Sequence, residues 1–366
     1  LQLLLITSVL SSGFSTGARE KMLTGCKGCP YTDFKYFNEY YGTSDYAEQW
    51  VLAAFTGEST KFTNGNADFS RYGLDGREQM IKKGTAYLNV FMYVIRELED
   101  ALDDCESRCI NCNEGSVHAW DEGVCFYTGS IEGQDGVTDD GKLLHQLADK
   151  RCIDYKTCGV EGTDLSGMAK LNYELFDLFP LGNFQITSGN CPAARDTTRA
   201  IIQKMYIPMI QGSMRYAYKV DKLQGGEKEK AEGAAFAAAV LPRIHAASPN
   251  AATTIYNNLR VGASSTDYVA VKNAFQSVYP QLGITCADIG GLWNDAEKKY
   301  YSGMEPCVET VSTSEAESTT NKTLAIALGC TFGGLFAIAA AMVIYMRSRE
   351  KQGAPVFKTS EHAEKS

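Results

Sequence analysis

Histidine is scarce in this chain: 4 among 366 residues, with His362 close to the C-terminus. The other three, His118, His145 and His245, are few for a copper oxidase, which depends on several imidazoles. H-E-x-x-H, G-x-S-x-G and G-x-G-x-x-G are all missing, so zinc peptidases, serine hydrolases and dinucleotide enzymes lack their signatures here. One stretch, Gly136 to Gly141-Lys142, resembles a phosphate loop, but Leu143 stands where Ser or Thr would hold magnesium and no strand precedes it. An enzyme is therefore not expected. Basic charge is short as well, with 35 Lys and Arg against 44 Asp and Glu for a net −9. That balance disfavours nucleic acid and mildly favours cations.

Strand-like alternation is also missing, and helical periodicity takes its place. From Arg77 to Leu102, the residues Met80, Ile81, Gly84, Tyr87, Leu88, Phe91, Val94, Ile95, Leu98 and Leu102 recur at three- and four-residue steps, stacking one apolar stripe on one face. Similar stripes run through Leu165 to Phe179, Asp196 to Val220, Glu229 to Ala247 and Thr266 to Tyr279. Ser44 before Asp45 to Phe55, with Gly57 after, and Ser116 before Val117 to Thr128, with Gly129 after, read as N-caps and C-terminal glycines. The expected class is mainly all-α, a disulfide-stapled helical bundle. Cys105 to Gly115 and Gly129 to Gly141 read as loops, and Gly182 to Pro192 as a boundary.

Two long apolar runs set the topology. Leu1 to Leu10 followed by small residues up to Ala18 reads as a secretory signal peptide over 1–18. Leu324 to Met346 is uncharged and, at 1.5 Å per residue, long enough to cross a hydrocarbon core of roughly 30 Å. Arg347, Arg349 and Lys351 follow it, placing the tail 347–366 in the cytoplasm by the positive-inside tendency. The reading is a single-pass type I plasma-membrane protein with an extracellular body, 19–308, and a Ser/Thr-rich stalk, 309–323, carrying the lone sequon at Asn321. Ala325, Gly329, Gly333, Ala337 and Ala341 form a small-residue stripe suited to close helix approach, hence a homodimer through Gly329 and Gly333.

Of the 12 cysteines, Cys330 falls in the membrane run. The rest meet an oxidising compartment and are expected mostly to pair, although Cys26/Cys29 with Cys109/Cys112 also have zinc-ligand spacing. The remaining number is odd, so a thiol stays free, and Cys125 is the expected one.

An internal echo links Glu122-Gly123-Val124-Cys125-Phe126 with Glu232-Gly233-Ala234-Ala235-Phe236. A second joins Asp45-Tyr46 and Ala54-Phe55 with Asp267-Tyr268 and Ala274-Phe275. Together they suggest two related halves, 26–180 and 190–308, facing each other.

The richest cluster runs from His118 to Ser130. On a helix, His118, Asp121 and Glu122 stand at i, i+3 and i+4, so an imidazole and two carboxylates share a face that can hold a cation. Tyr127 adds a phenol, Glu229 and Glu232 supply carboxylates from the echoing helix, and Thr128 and Ser130 offer groups to an anion. Hard oxygen ligands suit ferric iron, and each must lose a proton to bind it. The competing reading makes the same residues the polar edge of an ordinary amphipathic helix, with Trp120, Phe126 and Tyr127 packed inside.

His118-Ala-Trp-Asp-Glu-Gly-Val-Cys-Phe-Tyr-Thr-Gly-Ser, Gly84-Thr-Ala-Tyr-Leu-Asn-Val-Phe-Met-Tyr-Val-Ile-Arg-Glu, Asn64-Gly-Asn-Ala-Asp-Phe-Ser and Ala231-Glu-Gly-Ala-Ala-Phe resemble the algal iron-assimilation proteins, phytotransferrins of diatoms included. The resemblance covers about Cys26 to Trp293. It implies a surface protein of iron-starved cells that binds Fe(III) with (bi)carbonate, enters by endocytosis and releases iron in acid to a downstream reductase or transporter. The other reading is a metal-independent helical adhesion or interaction protein.

Overall fold

In the computed structural model, the described residues are 19–110, 115–129 and 143–308. The expected signal peptide, most of the Gly129–Gly141 loop, Ser130, the stalk, the membrane run with Gly329 and Gly333, and the tail lie outside them. Among the described residues no helix is long and apolar enough to cross a membrane.

Helix α1, Thr32–Tyr41, buries Phe34, Phe37, Tyr40 and Tyr41 and stops at Gly42, whose φ of 75° is the left-handed C-cap that glycine adopts without a Cβ penalty. Helix α2, Tyr46–Thr56, ends the same way at Gly57. The stripe expected over 77–102 is one rod in three parts: α3, Leu74–Gly84; a π-helical stretch, Thr85–Val90; and α4, Phe91–Glu106. Apart from the half-buried Tyr87, every residue of that stripe is buried. The π turn shifts the side-chain register in mid-rod, so residues before and after it face different neighbours.

Helix α5, Ser116–Thr128, lies against α4, and Gly123 allows it: a Cβ there would come 3.0 Å from Leu98. Next come α6, Leu143–Tyr155, and α7, Lys170–Thr187. The boundary expected over Gly182 to Pro192 holds the break between α7 and the next helix at 188–190, although Gly182 itself lies inside α7. That glycine serves packing, since an added Cβ would lie 2.1 Å from the Trp120 ring. The expected single helix over 196–220 is two, α8, Cys191–Met205, and α9, Ile207–Lys222, parted at Tyr206. Pro208 has no N–H to continue the first helix, but its fixed φ suits the start of the second.

Helix α10, Glu227–Ala247, is central and buried from Ala231 to Pro242. Its run of Gly and Ala lets α9, α3, α1 and α11 (Pro249–Leu259) pack on it. Helix α12, Tyr268–Gln276, and the short α13, Tyr279–Leu282, and α14, Cys286–Ile289, follow. The chain then makes an antiparallel pair, β1 (Trp293–Asn294) with β2 (Lys299–Tyr300), Trp293 opposite Tyr300. This ribbon is too short to show as alternation.

Disulfides staple the bundle: Cys26–Cys29, Cys105–Cys191, Cys152–Cys158 and Cys286–Cys307. Cys109 is disulfide-bonded as well, and Cys125 is a free, exposed thiol. The C-x-x-C at Cys26/Cys29 is thus a bridge, not half of a zinc site.

Candidate functional site

The α5 face holds only part of the predicted cluster. His118 Nε2 and Glu122 Oε1 pair at 3.2 Å, with side chains 64% and 43% exposed. Asp121 turns to Asn183, whose amide lies 3.4 Å away. Tyr127 points the other way: it is buried and donates to Asn172 Oδ1 at 2.6 Å, and burial together with Asp149 pushes its phenol well above the usual range. Thr128 Oγ1 bonds back to Val124 and Cys125 carbonyls in its own helix, so it offers nothing to an anion.

On α10, Glu229 caps the helix by accepting from Gly226 N at 3.0 Å, while Glu232 pairs with Lys83 at 2.8 Å. Burial opposes ionisation of Glu232, but hydrogen bonds from Lys83 and Tyr216 outweigh it and hold its carboxyl below the usual value. Glu122 and Glu232 therefore take separate partners, His118 and Lys83. Among the described residues, no three His, Cys, Asp or Glu side chains converge closely enough to hold a metal ion.

The echo does have a structural counterpart. Tyr87, in the π stretch, stacks on Phe236 at 5.1 Å, and Tyr93, at the head of α4, meets Phe126 edge-on at 4.7 Å. Each Phe of the paired sequences thus takes an aromatic partner from one continuous rod. Beside Tyr93 lie Arg96 and the buried Glu97, which are ion-paired. Burial raises Glu97 to about 7, with Arg96 opposing and Glu122 and Asp100 adding to the rise.

Phenols and carboxyls do come together elsewhere. A cleft of about 340 Å³ opens between α1, α4, α8 and α10, with Asp33, Tyr36, Glu99 and Tyr206 in its wall. Tyr206 donates to Asp33 Oδ1 at 2.8 Å. Burial raises both carboxyls; Tyr206 and Arg243 partly offset it at Asp33, and Arg195 partly offsets it at Glu99. Burial, then Asp33, pushes the Tyr206 phenol well above the usual range. Protonation is thereby made easier at both carboxyls and ionisation harder at the phenol, and a strongly polarising cation works against both.

Three arginines line the same cleft. Arg195 is taken by Glu99 at 3.3 Å and Glu106 at 2.7 Å, and Arg199 by Asp196 at 2.9 Å. Arg243 lies over the Tyr36 ring at 5.2 Å and faces Asp33, with no carboxylate in ion-pair contact among the described residues. Its guanidinium is the one in this cleft left to receive an oxyanion. Carboxyl and phenol oxygens beside an uncommitted guanidinium are the chemistry of a hard cation bound with an anion.

Sequence reading missed this cleft because its residues come from helices spread over two hundred positions. The local traces are slight: Asp33 with Tyr36 at i, i+3, and Arg195 with Arg199 at i, i+4. The Asn64 to Ser70 stretch, by contrast, is a structural device. The Asn66 amide accepts from Phe62 N at 2.6 Å and donates to Phe62 O at 2.8 Å, closing the loop. No protein family, curated protein or solved structure matches this chain.

Proposed function

We propose that this chain captures ferric iron together with carbonate in the Asp33–Tyr206 cleft, as the binding component of a surface iron-acquisition route. The observation that carries the reading is the cleft itself, where Asp33, Glu99, Tyr36 and Tyr206 face a cavity of about 340 Å³ beside Arg243. A trivalent cation is favoured because the phenol of Tyr206 has to be deprotonated against burial, which only a strongly polarising ion drives. Carbonate placed against Arg243 would add the ligand oxygens that side chains alone do not supply, while balancing the guanidinium charge.

Delivery by endocytosis and release in acid belong to the same proposal. Protons return to carbonate, Asp33 and Glu99 as pH falls, and the cation loses its ligands. The α5 face carrying His118, Asp121 and Glu122, exposed and without a third convergent ligand, then serves as a solvated surface. Ferric titration with and without bicarbonate tests the reading, with tyrosinate-to-iron absorbance as the signal. A chain that takes up no iron under either condition would favour the metal-independent surface-interaction protein instead.

A further inference from the structure

Arg151 on α6 is buried, 7% exposed, well inside the bundle. Its Nη2 lies 3.0 Å from Asp154 Oδ2, and Arg215 Nε on α9 lies 2.9 Å from that same oxygen. One carboxylate thus serves two guanidinium groups. Arg151 Nε and Nη1 are buried without a hydrogen-bond partner among the described residues. A buried donor without an acceptor is costly, and a buried charge without a counterion more so.

The surroundings add positive charge. Lys219, one turn past Arg215, is held below the usual lysine range by burial and by Arg215. Arg215 and Lys219 both lie over the Tyr216 ring, at 5.2 and 5.7 Å. The nearby acids are largely committed: Glu232 to Lys83, and Glu229 to the cap at Gly226. None of these residues lines the Asp33–Tyr206 cleft.

We infer that Arg151 and Arg215 form a second, buried binding site for a small oxyanion of the phosphate or carbonate type. Its oxygens would accept from the Arg151 N–H groups that now lack partners and supply the negative charge that Asp154 cannot divide between two guanidiniums. Planar guanidinium donors suit such oxyanions better than an ammonium does.

The test is isothermal titration of the iron-free full chain, purified in detergent, with inorganic phosphate and separately with bicarbonate. Wild type, Arg151→Lys, Arg215→Lys and Glu122→Gln are compared, with far-UV circular dichroism as the check on folding. Arg151→Lys keeps the charge but loses the planar fork, so it probes recognition without removing the buried cation. The expected result is saturable one-to-one binding of at least one anion, with a higher melting temperature. Affinity falls about tenfold or more in Arg151→Lys and Arg215→Lys and is unchanged in Glu122→Gln, on the solvated α5 face. The anion with the greater affinity identifies the natural class. Absence of saturable binding by wild type, or unchanged affinity in both folded arginine variants, overturns the inference. Neither result bears on iron capture, which is read at Asp33 and Tyr206.

Discussion

Tyr206 donates its phenolic hydrogen to Asp33 across 2.8 Å, tying the joint between α8 and α9 to α1, 173 positions away in sequence. Burial favours the protonated form of both groups, with Arg243 opposing it at Asp33, and a metal ion bound there would displace the phenolic proton. Asp33 and Glu99 both titrate above the ordinary carboxylate range, so protons compete with the cation at higher pH than usual. Ferric affinity is expected to fall as pH is lowered toward 5, with protons released on binding. Calorimetry in two buffers of different ionisation heat reads that release; an affinity flat with pH would contradict it.

Glu97 gives the clearest pH signature in stability. Its folded value of about 7 lies above the 4.5 of an ordinary glutamate. Its favourable contribution is therefore complete below about 4.5 and is lost as pH rises through about 7. Glu97→Gln removes that loss while keeping an oxygen for Arg96. The variant should match wild type at pH 4 and exceed it by about 2–3 kcal/mol at pH 8. Denaturant melts at the two pH values check the sign. A variant less stable than wild type at pH 8 would refute the assignment.

The Cys105–Cys191 bridge joins the end of α4, with Glu99 and Glu106, to the start of α8, with Arg195. It closes a separation of 86 residues, against 6 for Cys152–Cys158. On the loop-entropy estimate its removal by paired Ser substitution costs about 4.5 kcal/mol, and removal of the shorter bridge about 2 kcal/mol. Because the longer bridge also holds two walls of the cleft, its loss should weaken iron binding more than loss of the shorter. Thermal melts and iron titrations of the two variants give that order or reverse it.

Gly182→Ala sets helix propensity against packing. Propensity alone favours alanine by about 1 kcal/mol. The new Cβ, however, would lie 2.1 Å from the ring of Trp120, itself buried and anchored by Nε1 donating to Phe179 O at 3.0 Å. A rigid aromatic cannot yield that distance locally, so a net loss of roughly 1–3 kcal/mol is expected. Urea midpoints decide between the two effects.

Helical stripes were legible where apolar residues recur at three- and four-residue steps over several turns. Arg77 to Leu102 and Glu229 to Ala247 are both helical as their periodicity implies, because it survives a π turn and a buried proline. Thr32–Tyr41 was missed because its buried face is aromatic and its polar face dense, and Tyr206 because a helix break at Pro208 leaves the apolar period intact. An odd count implied a free thiol and its place in the His118–Ser130 motif pointed to Cys125, although neither gave its exposure. The site was less legible. His118 and Glu122 are neighbours as their spacing requires, but spacing says nothing of a third ligand, and Tyr127 at i+5 from Glu122 turns inward. Asp33, Glu99, Tyr206 and Arg243 meet only through tertiary packing, which leaves no local pattern to read.

The most direct test is ferric titration of the full chain with and without bicarbonate, comparing wild type with an Asp33→Asn, Tyr206→Phe double variant and with Glu122→Gln, Tyr127→Phe. Cleft capture predicts tight, bicarbonate-dependent binding with tyrosinate-to-iron absorbance in wild type and in the Glu122/Tyr127 variant, lost from the Asp33/Tyr206 variant. Binding that survives in the Asp33/Tyr206 variant while the Glu122/Tyr127 variant loses it would contradict the cleft and return the site to α5.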